Sequence, residues 1–433
     1  MEKSMEKFVV EGGYKLHGTV TPSGNKNAAL PILAATLLTD EEIVLENIPK
    51  IRDVEIMVKL LKTIGSDVRW LDEDVISIQT RMPDQKTIAL NREYACEIRA
   101  SILLAGPLVA RSKNIVFPPP GGDVIGRRRL DTHFISLQAM GASVRAEKLG
   151  LSIESGKYEG TDIFLDEPSV TATENAIMAS VLSRGTTVIR NAASEPHVQD
   201  LIGFLQSIGA QISGTGSNVL TIRGSSSLSG GKWRIIGDHI EVGSFISLAA
   251  VTGGEITIKN AEVSHLHMIL YYFSKLGVAV HVRGDDIVVP GGQKLLIKND
   301  HFGEITTIYD SPWPGFPTDL TSIAVVTATQ SEGMVLIFEK MFDGRLFFVD
   351  RLSAMGARIV LCDPHRVVVA GVSKLHGTEL VSPDIRAGMA LLIASLCAEG
   401  ESIIHNIGQI DRGYFRLEER LGALGARIER VAE

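Results

Sequence analysis

The segment PPPGGDVIGRRRLDTH, residues 118–133, concentrates residues that could do chemistry. It combines one carboxylate, Asp123, with three consecutive arginines, Arg127, Arg128 and Arg129. An arginine side chain presents a planar fork of donors that suits phosphate and carboxylate groups. The glycines of the segment permit close backbone approaches, so the loop can fold over a ligand. A solvated basic surface turn is the alternative interpretation.

Charged and polar residues also recur where six strongly apolar helical segments begin. A charge cannot enter an apolar core without a partner, so these side chains must face solvent, another charge or a ligand. Helix N-termini favour anions, because their N–H groups are free and the helix dipole is positive there. The residues concerned are Lys26, Asn27, Arg99, Glu174, Asn175, Glu241, Asp319, Asp384 and Arg386.

A second set of charged residues follows predicted strands at similar intervals along the chain. Its members are Arg52, Arg128, His197, His265, Arg345 and Arg412. For Arg52, His197 and His265 we expect capping contacts and interdomain salt bridges. The other three cations, taken with Lys26, Arg99 and Arg386, predict a binding site for a strongly anionic ligand.

The charged residues described above lie at corresponding points of an internal sequence repeat, whose folded units must therefore position them. Its marker is an apolar helix end followed by a glycine and a short hairpin, as in LSAMGARIVLCDPHRVVV. Solenoid and propeller repeats have periods of about 20 to 50 residues, so longer intervals predict small α/β subdomains instead. The six marker glycines are Gly65, Gly141, Gly209, Gly277, Gly356 and Gly425, at intervals of 76, 68, 68, 79 and 69 residues.

Each repeat contains one helix that is apolar on every side, and such a helix must be buried all round. A second helix in each repeat, such as the one predicted from Arg52, is amphipathic, and short β-branched segments predict strands. We therefore expect an α/β protein of two domains, each with three buried helices inside and sheets outside. The apolar helical segments begin at Ala28, Ala100, Asn175, Ser244, Leu320 and Gly388.

Composition limits the classes of function. The 433 residues are 45% hydrophobic and 22% charged, which is typical of a globular chain long enough for two domains. The net charge of −8 argues against a surface for nucleic acid or anionic membrane. Three scattered cysteines without a CxxC pair predict neither a disulfide framework nor a metal site. No signal peptide or membrane-spanning run is present, so we expect a cytoplasmic protein.

Five motifs along the whole chain resemble those of the enolpyruvyl transferases. They are SGNKNAALPILAA near the start, PGGDVIGRRRLDTH, FPTDL at 316–320, DIRAGMAL from Asp384 and IDRGYFRLEERLGALGA near the end. The resemblance implies a two-domain inside-out α/β barrel of six βαβαββ units, three in each domain. It implies one domain at 26–237, carrying a mobile loop at 118–133, and a second at 1–25 plus 238–433. The active site is expected in the cleft between them.

The motifs resemble the branch of this family that acts on nucleotide sugars. That branch transfers the enolpyruvyl group of phosphoenolpyruvate to the 3-hydroxyl of UDP-N-acetylglucosamine and releases phosphate, the first committed step of peptidoglycan precursor synthesis. The resemblance implies no metal or organic cofactor, and small-molecule partners without nucleic acid or membrane. We expect a monomer or a weak homo-oligomer.

The resemblance also implies roles for individual residues. Asp319 corresponds to the base that anchors the acceptor hydroxyl, and Asp123 replaces the usual loop cysteine, which exchanges a proton with carbon three. Lys26 is the third catalytic residue. The implied phosphoenolpyruvate ligands are Lys26, Asn27, Arg128, Arg345, Arg386 and Arg412. The implied nucleotide-sugar ligands are Asn27, Arg99, Arg129, Leu130, Asp131, Thr132, Ser169, Asp319, Met341 and Phe342.

Departures from the family pattern leave other acceptors open. The common FENR reads FDGR at 342–345, Gln409 replaces a frequent histidine, and Arg129 and Glu167 replace a proline and a lysine. The alternatives are a modified UDP-sugar, shikimate 3-phosphate, or a non-catalytic paralogue that binds a nucleotide sugar. Asp123 further predicts resistance to fosfomycin, an epoxide that alkylates the loop cysteine of sensitive relatives, because a carboxylate is the weaker nucleophile.

Overall fold

A computed structural model describes residues 6–83, 87–122, 125–126, 128–148 and 150–432. The described chain forms two compact units. The first unit comprises residues 6–23, 125–126 and 237–432, and the second unit comprises the described parts of 24–122 and 128–236. Among these residues, no helix is both long enough and apolar enough to cross a bilayer.

The α-helices of the described chain follow the predicted order, two main helices to each repeat. In the second unit they are α1 (Lys26–Ala35), α2 (Arg52–Ile64), α3 (Arg92–Ala95), α4 (Ala105–Arg111), α5 (Asp131–Ala139), α6 (Val170–Ser180) and α7 (Pro196–Ser207). In the first unit they are α8 (His239–Thr252), α9 (His267–Lys275), α10 (Thr321–Thr329), α11 (Val349–Ala354), α12 (Ile385–Cys397) and α13 (Leu417–Ala423).

The strands are short, and most alternate buried and exposed residues. They are β1 (Glu6–Glu11), β2 (His17–Val20), β3 (Ile43–Glu46), β4 (Ser66–Trp70), β5 (Ile76–Thr80), β6 (Thr87–Ala89), β7 (Asn114–Phe117), β8 (Ser143–Glu147), β9 (Gly150–Glu154), β10 (Asp162–Phe164), β11 (Thr186–Arg190) and β12 (Gln211–Ser213). They continue as β13 (Val219–Arg223), β14 (Gly231–Arg234), β15 (Glu255–Ile258), β16 (His281–Arg283), β17 (Asp286–Val289), β18 (Thr306–Tyr309), β19 (Gly333–Phe338), β20 (Ile359–Asp363), β21 (Arg366–Gly371), β22 (Glu379–Val381), β23 (Glu401–His405) and β24 (Arg427–Ala432).

All the described sheets have four strands and the same pairing, in which the first two strands are parallel and the others antiparallel. The second unit contains β14-β3-β5-β4, β6-β7-β9-β8 and β10-β11-β13-β12. The first unit contains β2-β15-β17-β16, β18-β19-β21-β20 and β22-β23-β1-β24. This pairing is that of a βαβαββ unit.

Buried helices occupy the centre of each unit. In the first unit α8, α10 and α12 pack on one another, and in the second α4 and α6 pack together with α1 beside them. All residues of α10 are buried, as its lack of a polar face predicted. The predicted α/β fold of six units, with helices inside and sheets outside, is confirmed.

Two local features explain where the helices end and begin. All six marker glycines have positive φ, between 86° and 117°, so each reverses the chain after an amphipathic helix where a side chain would be strained. The segment predicted as a helix from Ala100 is instead a 3-10 helix, Arg99–Leu104, that continues as α4. Pro107 has no N–H to donate, so it is best tolerated in the first turn of an α-helix, where no partner is needed.

The pairing of β1 and β2 with strands late in the chain makes the first unit discontinuous in sequence. Strand β2 precedes the second unit in the chain, yet it pairs in parallel with β15, which follows that unit. Strand β14 ends the second unit but pairs in parallel with β3 near its start. Strand β1 lies between β23 and β24 in the last sheet.

Candidate functional site

Asp319 lies between two buried arginines of the first unit. It belongs to the 3-10 helix Thr318–Leu320, which leads directly into α10. Its Oδ1 accepts a hydrogen bond from Nη2 of Arg345 at 3.1 Å, and its Oδ2 accepts one from Nε of Arg386 at 2.9 Å. The arginine side chains are 3% and 5% exposed, whereas that of Asp319 is 26% exposed. The carboxylate is therefore the most exposed group of this cluster.

The N-terminus of α12 positions Arg386. Asp384 caps this helix, because its carboxylate accepts hydrogen bonds from the backbone N–H groups of Arg386 and Ala387 at 2.8 and 3.0 Å. Nη1 of Arg386 donates to the hydroxyl of Tyr414 at 3.3 Å. Burial opposes the charge of Arg386, but Asp319 and Tyr414 outweigh it, so the pKa of Arg386 is raised. Arg386 stays charged although it is buried.

A buried glutamate that the sequence analysis did not single out lies behind this cluster. Both carboxyl oxygens of Glu339 accept from the hydroxyl of Thr318 at 2.9 Å, and Oε1 also accepts from the N–H groups of Met341 and Phe342 at 3.2 and 3.0 Å. Oε2 lies 3.7 Å from Nε of Arg345. Burial raises the pKa of Glu339 to about 8, and the charge of Arg345 opposes that rise.

The FDGR segment contacts the described part of the 118–133 loop. The N–H of Gly344 donates to the carbonyl of Ile125 at 3.0 Å. A Cβ on Gly126, whose φ is +122°, would lie 1.9 Å from Oδ1 of Asp343. Gly344, the glycine that distinguishes FDGR from FENR, therefore contacts the loop directly. Asp123 itself lies outside the described residues.

Arg412 ends the 3-10 helix Ile407–Arg412 in the first unit and is buried. Its Nη1 donates to Oε1 of Gln409 at 2.9 Å, so the residue that replaces a frequent histidine orients this arginine. The preceding residue, Asp411, is held by two hydrogen bonds from Arg430 at 2.7 and 3.0 Å. The end of the chain thereby anchors the turn that carries Arg412.

Lys26 begins α1 in the second unit. The N-cap of this helix is Asn25, whose side chain accepts from the N–H of Ala28 at 3.0 Å. Nζ of Lys26 lies 2.8 Å from Oδ2 of Asp53 in the first turn of α2, and both residues are buried. The neighbouring Asn27 is half-buried. Sequence reasoning did not identify Asp53 as a partner of Lys26.

Arg99 holds the backbone of the 118–133 loop at Arg128 and Arg129. Its Nη2 donates to the carbonyl oxygens of Arg128 and Arg129 at 2.9 and 2.8 Å. Burial, together with the positive charge of Arg128, lowers the pKa of Arg99 to about 10. These contacts make Arg99 a support for the loop, and its direct contact with a nucleotide sugar stays a prediction.

The remaining predicted nucleotide-sugar residues of the second unit lie beside carboxylates. Nε of Arg129 is 3.0 Å from Asp131, and its Nη2 is 3.3 Å from Asp166. The hydroxyl of Thr132 donates to Asp166 at 2.6 Å. Leu130 precedes α5 and Ser169 precedes α6, and both are partly buried. Asp166, which was not predicted from the sequence, contacts both Arg129 and Thr132 through its carboxylate.

Comparison with known proteins places this geometry in a family. Residues 10–421 match the family described as EPSP synthase (3-phosphoshikimate 1-carboxyvinyltransferase). A protein of Bradyrhizobium diazoefficiens named UDP-N-acetylglucosamine 1-carboxyvinyltransferase is 55% identical over 99% of this chain and 98% of its own length. A protein of the same name from Treponema denticola is 53% identical over 98% of this chain and 99% of its own length.

Solved structures agree in fold. The enolpyruvyl transferase NikO from Streptomyces tendae superposes with a TM-score of 0.87 at 22% identity, covering 99% of this chain and 100% of its own. EPSP synthase from Acinetobacter baumannii gives a TM-score of 0.75 at 17% identity over the same shares. The sequence match over nearly the whole chain shows that this protein belongs to the EPSP synthase family of carboxyvinyltransferases.

Proposed function

We propose that this protein transfers the enolpyruvyl group of phosphoenolpyruvate to the 3-hydroxyl of UDP-N-acetylglucosamine and releases phosphate. The observation that carries the proposal is the identity of 55% and 53%, over nearly the full chain, to two enzymes named for that reaction. The reaction would commit the sugar to peptidoglycan precursors. A cytoplasmic location and a monomeric or weakly associated state stay predictions.

The chemistry begins at Asp319. As the acceptor hydroxyl adds to carbon two of phosphoenolpyruvate, its proton passes to a base and carbon three gains a proton, which gives a tetrahedral ketal. Carbon two then loses phosphate and carbon three loses a proton, and the enol ether remains. Asp319 is the proposed base because its carboxylate is accessible at the mouth of a buried helix. Asp123 is the proposed proton carrier at carbon three.

Arg345 and Arg386 connect the proposed base to the proposed phosphoenolpyruvate site. Arg345 and Arg386 both donate hydrogen bonds to the carboxylate of Asp319. The phosphate and carboxylate of phosphoenolpyruvate attract the same guanidinium groups. Phosphoenolpyruvate therefore competes with Asp319 for these donors. Lys26, Asn27, Arg128 and Arg412 are the other proposed phosphoenolpyruvate ligands.

The acceptor would be held by both polar and apolar side chains. The proposed ligands are Asn27, Arg99, Arg129, Leu130, Asp131, Thr132, Ser169, Asp319, Met341 and Phe342. Because Arg129 already faces Asp131 and Asp166, we expect the sugar nucleotide to be held mainly by hydrogen bonds at this surface.

The test is acceptor-dependent phosphate release by the purified protein. Phosphoenolpyruvate is supplied with UDP-N-acetylglucosamine or with shikimate 3-phosphate, and the product is identified by mass spectrometry. We expect phosphate and a carboxyvinyl product with the nucleotide sugar alone. Turnover with shikimate 3-phosphate instead would contradict the proposed acceptor, and binding of the nucleotide sugar without turnover would indicate a non-catalytic paralogue.

A further inference from the structure

Glu339 occupies an unusual position for an acidic side chain. It directly follows β19 and its side chain is fully buried. A buried carboxyl group is costly unless its oxygens accept hydrogen bonds. Three donors converge on its two oxygens: the Thr318 hydroxyl, which lies 2.9 Å from both, and the backbone N–H groups of Met341 and Phe342. These contacts fix the positions of the three donor groups relative to one another.

The donors come from two segments that carry proposed site residues. Thr318 immediately precedes Asp319, the proposed base. Met341 and Phe342 are proposed nucleotide-sugar ligands, and the ring of Phe342 lies 5.4 Å from the guanidinium carbon of Arg345. One carboxyl group therefore connects the loop before α10 to the loop after β19.

Arg345 adds an electrostatic connection. Its Nε lies 3.7 Å from Oε2 of Glu339, beyond hydrogen-bond distance, while its Nη2 lies 3.1 Å from Asp319. Among the described residues, the buried Nε has no hydrogen-bond partner. Arg345 is thus held between two acidic groups and keeps one donor unused. A change at Glu339 alters both the orientation of Arg345 and its attraction for an anion.

We propose that Glu339 is a positioning residue, which holds Thr318, the Met341–Phe342 backbone and Arg345 so that Asp319 is correctly placed for the transfer. The proposal rests on the proposed function and extends it to a side chain that touches no substrate. Charged and titratable groups around Glu339 are Arg345 and Asp310, with His365 bound to its backbone carbonyl at 2.8 Å.

The first test removes one donor. Thr318→Val deletes the hydroxyl at nearly constant shape, and Thr318→Ser keeps it. We expect kcat to fall at least tenfold in the valine variant and to recover to within about threefold in the serine variant, with nucleotide-sugar affinity unchanged in both. Thr329→Val is the control, because it removes a buried hydroxyl that donates only within α10, to Val326, and should leave kcat unchanged. Equal kcat in the valine and serine variants would overturn the proposal.

The second test uses pH. Glu339→Gln keeps an acceptor for Thr318, Met341 and Phe342 but cannot ionise. Above about pH 8 the wild-type carboxyl group ionises and competes with phosphoenolpyruvate for Arg345, so its KM for phosphoenolpyruvate should rise with pH. The glutamine variant should lose that rise and keep kcat near neutral pH. If Glu339 had only a structural role, KM for phosphoenolpyruvate would depend on pH in the same way in the wild type and in Glu339→Gln. That result would count against the positioning role.

A crystal structure of Thr318→Val separates this proposal from the proposed function. We expect the contact between Asp319 and Arg345, 3.1 Å in the wild type, to lengthen or break. An unchanged contact would contradict the positioning role whatever the enzyme's acceptor. Failure of the wild-type protein to release phosphate would instead contradict the proposed function alone, since the geometric result does not depend on turnover.

Discussion

Asp319 and Arg386 are joined by two donors, since Nε and Nη2 of Arg386 both lie 2.9 Å from Oδ2 of Asp319. Asp319→Asn keeps an oxygen for these donors but cannot accept a proton. We expect kcat to fall by about 10² to 10⁴, as for loss of a general base, with nucleotide-sugar affinity almost unchanged. Calorimetric binding and phosphate release measure the two effects. Asp350→Asn, at an exposed site on α11, is the control and should match the wild type.

Replacing the guanidinium group of Arg386 should show whether its charge alone or also its hydrogen-bond geometry is needed. Arg386→Lys keeps a cation but cannot place two donors on Asp319 and a third on Tyr414. We expect kcat/KM for phosphoenolpyruvate to fall about tenfold or more, since a buried hydrogen-bonded charge pair is disrupted. The exposed Arg366, which pairs with Asp363, is the matched control for the same exchange. Similar kinetics in both variants would argue against a role for Arg386 in anion binding.

The contact between the loop and the FDGR segment can be tested at Gly126. Alanine there would have φ near +122° and a Cβ 1.9 Å from Asp343, so we expect the loop to be displaced and kcat to fall at least tenfold. Gly292→Ala also meets a positive φ, +66°, but its Cβ has nothing within 4 Å. That control should lose some stability and keep its kcat. If both variants keep full activity, the contact is not needed for turnover.

Fosfomycin tests the chemistry of residue 123. The wild-type protein should be active and resist time-dependent inactivation, because a carboxylate attacks an epoxide slowly. Asp123→Cys should stay at least partly active and lose activity irreversibly in the drug. Peptide mass spectrometry should then find the adduct at residue 123, whereas the exposed Cys96 and Cys362 serve as internal controls. Inactivation of the wild-type protein would contradict the assignment.

A buried histidine should make stability depend on pH. Burial and the nearby charge of Arg99 lower the pKa of His133 to about 3 from an ordinary 6.5. The unfolded chain therefore binds the proton first, so stability is lost as pH falls from about 6.5 towards 3. In His133→Gln this contribution is absent. The difference in unfolding free energy between the wild type and this variant should therefore shrink by about 2 kcal/mol as pH falls from roughly 6.5 to 4.5. Guanidinium denaturation at both pH values measures it. A constant deficit would contradict neutral burial.

The repeat was predictable because its signals are local. A helix that ends in a left-handed turn favours glycine there. A helix without a polar face is stable only when it is buried on all sides. Four asparagines that adopt positive φ close to the ends of strands, Asn47, Asn191, Asn260 and Asn406, follow the same logic but were not recognised. Asparagine tolerates this conformation better than most residues, so the signal is present but weaker.

The partners of the predicted site residues were not predictable in the same way. Glu339 follows a strand like many solvated charges, and only packing across 21 residues of sequence brings it to Thr318. Asp53 and Asp166 likewise reach Lys26 and Arg129 through tertiary structure. Sequence motifs identified cations by type and spacing, whereas the acidic groups that orient those cations depend on the folded chain.

The position of β1 between β23 and β24 has a consequence during synthesis on the ribosome. Strand β1 spans Glu6–Glu11, yet its pairing partners β23 and β24 begin only at Glu401 and Arg427. At about 5 to 20 residues per second, the strand waits on the order of 20 to 80 seconds for them. Residues 24–236 can meanwhile fold, because all three of their sheets are internal to that segment. An unpaired β-strand is prone to aggregate, so we expect ribosome-associated chaperones to bind the nascent chain until β24 has emerged.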